Sequence, residues 1–358
     1  MGTANPPLPS PGQPPAASAF LSAARGEPAR HTPVWFMRQA GRSLPEYRAV
    51  RGEGSILTAI RQPELAAEIT LQPVRRYGVD AAVLYSDIVV PAHAVGFGID
   101  VAPGTGPVAE QPFRSAGDLA RLRPLEPGDI TYVTDTVGLV AAELPAGVPV
   151  LAFAGAPFTV ASYLVEGRPS RDYRHTKALL HTDPTLWHTL MERLADSSVA
   201  FIRAQLDAGA GAFQLFDSWA GNLSAADYTE FVLPHSQRVF AELAASHPSA
   251  PGIHFGIGCD HLLELMHSAG PTVVGLDWRT PIAQARARLG DDVAVQGNLD
   301  PALVLAGVDP ALAGTRAVLA DNAGHPAHIF NLGHGVHPDT DPGVLAEVAA
   351  LVHATTAR

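Results

Sequence analysis

Arginines are concentrated in one short segment of this 358-residue sequence. Residues 30–51 contain a single acid but five arginines: Arg30, Arg38, Arg42, Arg48 and Arg51. The chain as a whole has a formal charge of −11. A guanidinium group stays charged and can form two parallel hydrogen bonds to a carboxylate, each worth about 1.5 to 3 kcal/mol. Arg38 and Arg42 therefore predict a clamp for a polyanion, with a solvated face or surface salt bridges as the structural alternative.

The scarcity of lysine and cysteine excludes several kinds of chemistry. Lys177 is the only lysine, which leaves almost no room for Schiff-base or pyridoxal chemistry and excludes a phosphate-binding loop with a Gly-Lys-Ser/Thr ending. Cys259 is the only cysteine, so an internal disulfide and a metal site of several thiolates are also excluded. The negative net charge argues against nucleic acid as the main partner. We expect a cytoplasmic protein.

Short apolar runs alternate with helical patterns along the chain. Eight runs have the β-branched character of strands covered on both faces; they lie at 34–37, 81–85, 148–153, 212–216, 252–257, 273–276, 293–296 and 328–332. Four Asp-Pro pairs predict helix starts: Asp183-Pro184, Asp300-Pro301, Asp309-Pro310 and Asp341-Pro342. The alternation predicts an α/β fold, a single-domain (β/α)8 TIM barrel. A doubly wound sheet of about six strands is the competing assignment.

One domain is expected to follow a proline-rich tail. Residues 1–18 are predicted to be disordered, and residues 19–358 to form the barrel. The segment 88–147, after the second strand, is too long for a simple crossover, and its part GFGIDVAPGTGP predicts an inserted hairpin or flap. The sequence has no run of 18 apolar residues, so we expect no membrane anchor.

Barrel enzymes carry their chemistry at the carboxyl ends of the strands. Polar or glycine-rich groups follow most of the predicted strands: Arg38, Ser86 with Asp87, the segment 155–163, Asp217 with Ser218, Asp277, Gln296 with Asn298, and His334. For Asp217, Asp277 and Asn298 the structural alternative is that they satisfy backbone donors in turns or cap the next helix. Their common location nevertheless predicts a site at this rim of the barrel.

Seven motifs resemble those of the uroporphyrinogen decarboxylase family, in the same order and over essentially the whole chain after the tail. They are FMRQAGRSLPEYR, LYSDIVVPAHAVGFGIDV, FAGAPFTVASYLVEG, FQLFDSWAGNLS, GLDWRTP, QGNLDP and NLGHGVHPDTDP. The resemblance implies a (β/α)8 barrel, usually a homodimer. It further implies an enzyme of heme biosynthesis that converts the four acetate side chains of uroporphyrinogen III to methyl groups, giving coproporphyrinogen III and four CO2 without a cofactor or metal.

The resemblance also implies which residues form the site. Matched motif by motif, the substrate-binding positions are Arg38, Arg42, Asp87, Tyr163, Ser218 and His334, with Arg51 less closely matched. Asp87, Arg38 and His334 are the implied catalytic residues. Asp87 is expected to accept hydrogen bonds from pyrrole N–H groups and to stabilise a protonated ring, while the arginines hold carboxylates. The proton donor is left open among Asp87, an arginine and a bound water.

Structural interpretations exist for several of these residues. Tyr163 would then be a core tyrosine, and His334 a loop residue bonded to its own GHG backbone. Cys259 is expected to pack as a small residue or act as a weak cap rather than be an acidified nucleophile. Asp341, in the string HPDTD, is expected to cap a helix rather than bind a metal.

Two other functions are less well supported by the sequence. Corrinoid-linked zinc methyltransferases share the fold but need thiolate ligands, which a chain with Cys259 alone cannot supply. A non-catalytic binder of polyanionic tetrapyrroles would be indicated by the loss of Asp87, and Asp87 is present. The decarboxylase interpretation is therefore preferred.

Overall fold

The computed structural model describes residues 17–52, 54–102 and 104–358. Its strands are β1 (Ala82–Val83), β2 (Ile99–Ala102), β3 (Gly106–Ala109), β4 (Val150–Gly155), β5 (Ala212–Asp217), β6 (Gly252–Gly256), β7 (Val273–Gly275), β8 (Ala294–Gln296) and β9 (His328–Ile329). Within the described ranges, seven of these strands form a parallel sheet in the order β1-β4-β5-β6-β7-β8-β9. Their neighbours follow chain order, as in a barrel wall.

Helices separate and surround these strands. They are α1 (Ala19–Ala24), α2 (Pro45–Arg51), α3 (Ile56–Ile60), α4 (Pro63–Tyr77), α5 (Val90–Ala94), α6 (Thr131–Glu143), α7 (Pro157–Glu166), α8 (Arg174–Thr182), α9 (Pro184–Asp207), α10 (Ala225–Phe231), α11 (Leu233–Ser246), α12 (Leu263–Ser268), α13 (Ile282–Leu289), α14 (Pro301–Leu305), α15 (Val308–Asp321) and α16 (Pro342–Thr356). The parallel strands are buried on both faces, which explains their continuous apolar runs. The predicted (β/α)8 barrel is confirmed.

The segment 34–37, predicted to be the first strand, closes the barrel without forming a regular strand. Val34 makes a single parallel bridge to Phe330, which follows β9. On its other side, the carbonyl of Val34 accepts a hydrogen bond of 2.8 Å from the N–H of Asp80, which precedes β1. The predicted strand is therefore wrong in extent but right in position, between the last and the first strands of the sheet.

Side chains replace the missing partners of this segment. The N–H of Val34 donates to Oδ2 of Asp80 at 2.8 Å, that of Phe36 to Oε1 of Gln39 at 2.9 Å, and that of Met37 to Oδ1 of Asn331 at 2.9 Å. A buried N–H must find an acceptor, and these side chains supply one where a backbone ladder would otherwise be required. A run of apolar residues carries no signal for this substitution.

Three of the four predicted helix starts are confirmed. The side chains of Asp183, Asp300 and Asp341 each accept a backbone N–H at the start of α9, α14 and α16. The start at Asp309 is wrong, because α15 begins at Val308 after Gly307. Pro310 then lies in the first turn, where a missing N–H costs no intrahelical hydrogen bond.

The insertion predicted after the second predicted strand, which is β1 of the structure, is confirmed as a hairpin. β2 and β3 pair antiparallel, with Ile99 opposite Ala109 and Ala102 opposite Gly106. Of the predicted disordered tail, residues 1–16 lie outside the described residues. Ser18 belongs to the folded chain, since its hydroxyl accepts the N–H of Leu21 and caps α1. No helix in the described part of the chain combines the length and apolar character needed to cross a membrane.

Candidate active site

A cleft of about 580 Å³ opens at the carboxyl ends of β1, β4 and β5. This volume is within the usual range for a small-molecule site. Its polar lining side chains are Arg38, Arg42, Arg51, Tyr85, Ser86, Asp87, Thr105, Tyr163 and Ser218. The β2–β3 hairpin also contributes lining residues to the cleft, Val101, Ala102 and 104–107. The structure thus brings together six predicted residues, Arg51 included, on one half of the barrel mouth.

Arg38 is held by unusual local backbone. It has a φ of 62°, in the left-handed region that residues other than glycine seldom adopt, so contacts of the neighbouring residues must hold it in this conformation. Met37 is fixed on both sides, because its N–H donates to Asn331 and its carbonyl accepts the N–H of Val336 at 2.8 Å. The segment after β9 therefore determines where the Arg38 guanidinium enters the cleft.

Arg42 is the more deeply placed of the two arginines. Burial and the nearby positive charge of Arg38 lower the pKa of Arg42 to about 10, while the charges of Tyr47 and Asp87 oppose this shift. The group is still cationic at neutral pH. Two like charges held close together in a partly buried cleft create an unsatisfied positive potential, which favours an anionic ligand.

Asp87 lies just beyond β1 and faces these arginines. Its Oδ1 accepts the N–H of Val89 at 3.0 Å, which fixes the carboxyl at the floor of the cleft. Burial raises the pKa of Asp87, against the opposing effects of the Val89 N–H and of the positive charges of Arg38 and Arg42. The carboxylate is consequently short of solvation, and a cationic group placed beside it would relieve that penalty.

Tyr163 and Ser218 add hydroxyl groups to the same cleft. Tyr163 is on α7, half-buried, and its ring lies against Trp219 with centroids 3.9 Å apart. Burial and then the negative charge of Asp87 raise the pKa of Tyr163, with Arg38 opposing them. The phenol is therefore protonated at neutral pH and can donate a hydrogen bond. Ser218 follows β5 directly and lines the cleft beside it.

His334 lies beside the cleft and is not among its lining residues. Its Nδ1 accepts the N–H of Gly335 at 2.5 Å, and its ring stacks on Trp278 with centroids 6.4 Å apart. Burial, followed by the charge of Arg38, lowers the pKa of His334 to about 4. The neutral ring must then carry its proton on Nε2, which is free to donate. The bond to its own backbone, expected as the structural alternative, is present, and a role in the reaction stays a prediction.

The other polar residues at strand ends have structural roles. Asp277 accepts the N–H of Gly258 at 2.5 Å and that of Arg279 at 2.8 Å. Asn298 donates to the carbonyl of Asp277 at 2.8 Å, and Asp217 accepts the hydroxyl of Thr159 at 2.9 Å. These contacts confirm that Asp277 satisfies turn donors. They show Asn298 and Asp217 bonding to their own surroundings, outside the cleft lining.

Tyr85 was missed as a site residue. Its ring lines the cleft between β1 and the arginine loop, and its hydroxyl lies 3.3 Å from that of Tyr47. Glycine at position 41 is required for this arrangement, because a Cβ there would lie 2.5 Å from Cε2 of Tyr85. Its place directly before the polar pair Ser86 and Asp87 is a sequence signal for a site residue. Because Tyr85 ends the apolar run 81–85, however, the sequence does not distinguish it from a core residue.

The two secondary expectations, for Cys259 and Asp341, are confirmed. Cys259 is 7% exposed, and burial raises the pKa of its thiol well above the ordinary value, which is the opposite of what an acidified nucleophile requires. Asp341 accepts the N–H of Gly343 at 2.8 Å and caps α16.

Comparison with known proteins agrees with this geometry. The family model described as uroporphyrinogen decarboxylase (URO-D) matches residues 15–355. A uroporphyrinogen decarboxylase of Salinispora tropica is 56% identical over 350 residues, covering 98% of this chain and 93% of the relative. One of Streptomyces coelicolor is also 56% identical, covering 97% and 98%.

A solved structure shows a similar fold. The methyltransferase from Methanosarcina mazei superposes with a TM-score of 0.77 at 19% identity, covering 94% of this chain and 98% of that one. At such low identity the likeness concerns the fold alone. The family-model match and the two relatives, together with the motifs gathered in the cleft, show that this chain belongs to the uroporphyrinogen decarboxylase family.

Proposed function

We propose that this protein is an enzyme that decarboxylates the four acetate side chains of uroporphyrinogen III, giving coproporphyrinogen III and four CO2 in porphyrin biosynthesis. The observation that carries the proposal is the Asp87 carboxyl on the floor of a cleft that also holds Arg38 and Arg42. Family membership and an identity of 56% to decarboxylases support it. The site needs no cofactor for this chemistry.

The arginines and hydroxyl groups bind the acidic side chains of the substrate. Arg38 and Arg42 pair with carboxylates through charge-assisted hydrogen bonds, which also restores each arginine's missing counter-charge. Tyr163 and Ser218, both neutral donors, bind further carboxylate oxygens in the same cleft. These contacts place one pyrrole ring against Asp87.

Asp87 stabilises the charged intermediate. Protonation of the ring carbon next to the one that bears the acetate makes the pyrrole cationic, and the pyrrole N–H then donates a hydrogen bond to the Asp87 carboxylate. The C–C bond to the carboxylate breaks, its electron pair enters the ring, and CO2 leaves. A second proton adds to the resulting exocyclic carbon and one proton leaves the ring, so each acetate takes up one proton net and becomes a methyl group. A fixed carboxylate in a poorly solvated cleft stabilises the cation without reorganisation.

A direct assay tests the proposal. Purified full-length protein is incubated anaerobically with reduced uroporphyrinogen III, and the oxidised products are separated by chromatography according to carboxyl number. We expect stepwise loss of four carboxyl groups, ending at the coproporphyrin product. An unchanged substrate after incubation with folded wild-type protein would reject the proposed reaction.

We further propose that the enzyme is a cytoplasmic homodimer, on the strength of its family. Sedimentation of the 37.5-kDa chain at micromolar concentration is expected to give twice that mass. A monomer under these conditions would contradict the proposed assembly. Cell fractionation tests the location separately, with the enzyme expected in the cytoplasmic fraction.

A further inference from the structure

Two histidines and an aspartate meet at the end of the barrel opposite the cleft. Nε2 of His31 lies 2.7 Å from Oδ1 of Asp80, and Nε2 of His353 lies 2.7 Å from Oδ2. The two imidazole centroids are 4.3 Å apart. All three ligand atoms lie within 4.8 Å of one another. This cluster, His31–Asp80–His353, has no part in the proposed decarboxylation.

Three separate parts of the chain position the cluster. His31 precedes the barrel-closing segment, Asp80 precedes β1, and His353 lies in the last turn of α16. Because Asp80 precedes β1 and Asp87 follows it, the cluster and the cleft lie at opposite ends of that strand. A ligand bound by the cluster would therefore join the beginning of the barrel to its final helix.

The carboxylate at the centre is firmly held. Its Oδ1 and Oδ2 each contact one imidazole, and Oδ2 also accepts the N–H of Val34 at 2.8 Å. The Asp80 side chain is 7% exposed, whereas those of His31 and His353 are 13% and 30% exposed. An ion can thus approach a buried anion through two partly exposed imidazoles.

We infer that His31, Asp80 and His353 form a binding site for a zinc-class divalent metal ion. Two imidazoles and one carboxylate are a common donor set for such ions, with water completing the coordination. Metal–ligand bonds of about 2.0 to 2.2 Å at tetrahedral angles place neighbouring ligand atoms about 3.4 Å apart, so each 2.7 Å contact with Asp80 needs to widen by about 0.7 Å.

Binding replaces the two Nε2 contacts with Asp80. A neutral imidazole that carries its hydrogen on Nδ1 offers the Nε2 lone pair to the metal. Oδ2 keeps the N–H of Val34 at 2.8 Å, which orients the carboxylate as an outer hydrogen bond does in known metal sites. This site departs from the sequence-based expectation that the chain binds no metal.

Metal titration tests the inference on the full-length, untagged protein after treatment with a chelator. Zn²⁺ is titrated calorimetrically, and Co²⁺ is followed by its visible absorption, which reports nitrogen and oxygen coordination. We expect about one ion per chain and a melting temperature that rises with metal concentration. His31→Gln and His353→Gln are each expected to weaken binding at least about tenfold.

A matched control removes a different imidazole. His247 contacts a single carboxylate, Asp207, at 3.1 Å near the end of α11, so His247→Gln is expected to bind metal like the wild type. Decarboxylase activity without metal should be unchanged in all three variants, which shows that they are folded. The inference is overturned if the wild type binds neither ion at millimolar concentration, or if His31→Gln and His353→Gln bind as tightly as the wild type.

Discussion

The side chain of Arg38 packs against Gly335. A Cβ on Gly335 would be 2.5 Å from Cδ of Arg38 and 3.2 Å from its Nε. The glycine has an ordinary φ, so its small size is needed for the close approach of the arginine rather than for a turn. The position of a cleft cation is thus determined by a residue that has no functional group.

Gly335→Ala is expected to displace the Arg38 side chain. The KM for uroporphyrinogen III should rise about tenfold, equivalent to about 1.4 kcal/mol of lost binding, with a smaller effect on kcat. Steady-state kinetics on the reduced substrate check this. Gly138→Ala, in α6 with nothing within 4 Å of the added Cβ, serves as the control. Equal KM values for the two variants would contradict the relationship.

Asp87→Ala is expected to leave the fold intact and nearly abolish turnover. The loss of a carboxylate that stabilises a cationic intermediate should cost at least about 10² to 10³ in kcat. Asp87→Asn, which keeps the shape but not the charge, should be similarly inactive. Circular dichroism establishes folding, and single-turnover CO2 release measures the chemical step. Decarboxylation at the wild-type rate in either variant would refute the role of Asp87.

Arg38→Leu is expected mainly to weaken binding of the substrate. Removing one charge-assisted clamp should raise KM by about tenfold or more, since such bonds contribute about 1.5 to 3 kcal/mol. Arg30→Leu is a suitable control, because Arg30 belongs to the same basic segment but does not line the cleft. Unchanged kinetics for Arg38→Leu would remove Arg38 from the site.

His334→Asn is expected to impair the enzyme only in part. The histidine lies beside the cleft with Nε2 free to donate, so its loss should slow later decarboxylations and release partly decarboxylated porphyrinogens. Product chromatography over time would show intermediates with five to seven carboxyl groups accumulating. Complete loss of activity would instead place His334 in direct contact with the reacting ring.

Stability is expected to fall in mild acid because of His328. The ring is fully buried, and its Nε2 donates to the carbonyl of Gly297 at 2.7 Å. Burial lowers the pKa of His328 from 6.5 to about 4. The unfolded chain therefore takes up the proton first, so this contribution is complete above about pH 6.5 and is lost as the pH falls towards 4.

Urea unfolding at several pH values measures this effect. Each such histidine contributes a slope of at most about 1.4 kcal/mol per pH unit, and His328→Gln should reduce the slope between pH 6 and 4.5. His247→Gln, at a partly exposed position, should leave the slope unchanged. An unchanged slope for His328→Gln would mean that His328 does not contribute to the acid sensitivity.

The sequence predicts the barrel better than it predicts the barrel's closure. Alternating buried runs specify parallel strands, and Asp-Pro pairs specify most helix starts, because both signals are local. The contacts of Val34, Phe36 and Met37 with side chains distant in sequence are not local. The cleft-lining position of Tyr85 also depends on contacts distant in sequence, so its apolar run predicts a core residue. Motif matching likewise carries no information on where His334 lies relative to the cleft.

Because side chains close the barrel, the barrel wall does not tolerate amino-acid exchanges equally well at every point. Between β4 and β5 the main chain supplies both donors and acceptors, so exchange of a side chain leaves those hydrogen bonds in place. At the barrel-closing segment 34–37 the acceptors are side chains instead. Exchanging Asp80, Gln39 or Asn331 for an apolar residue would leave a buried N–H without an acceptor, which should lower the free energy of unfolding by about 1 to 3 kcal/mol each. Single amino-acid exchanges that weaken the protein without touching its catalytic groups should therefore be found disproportionately at this join.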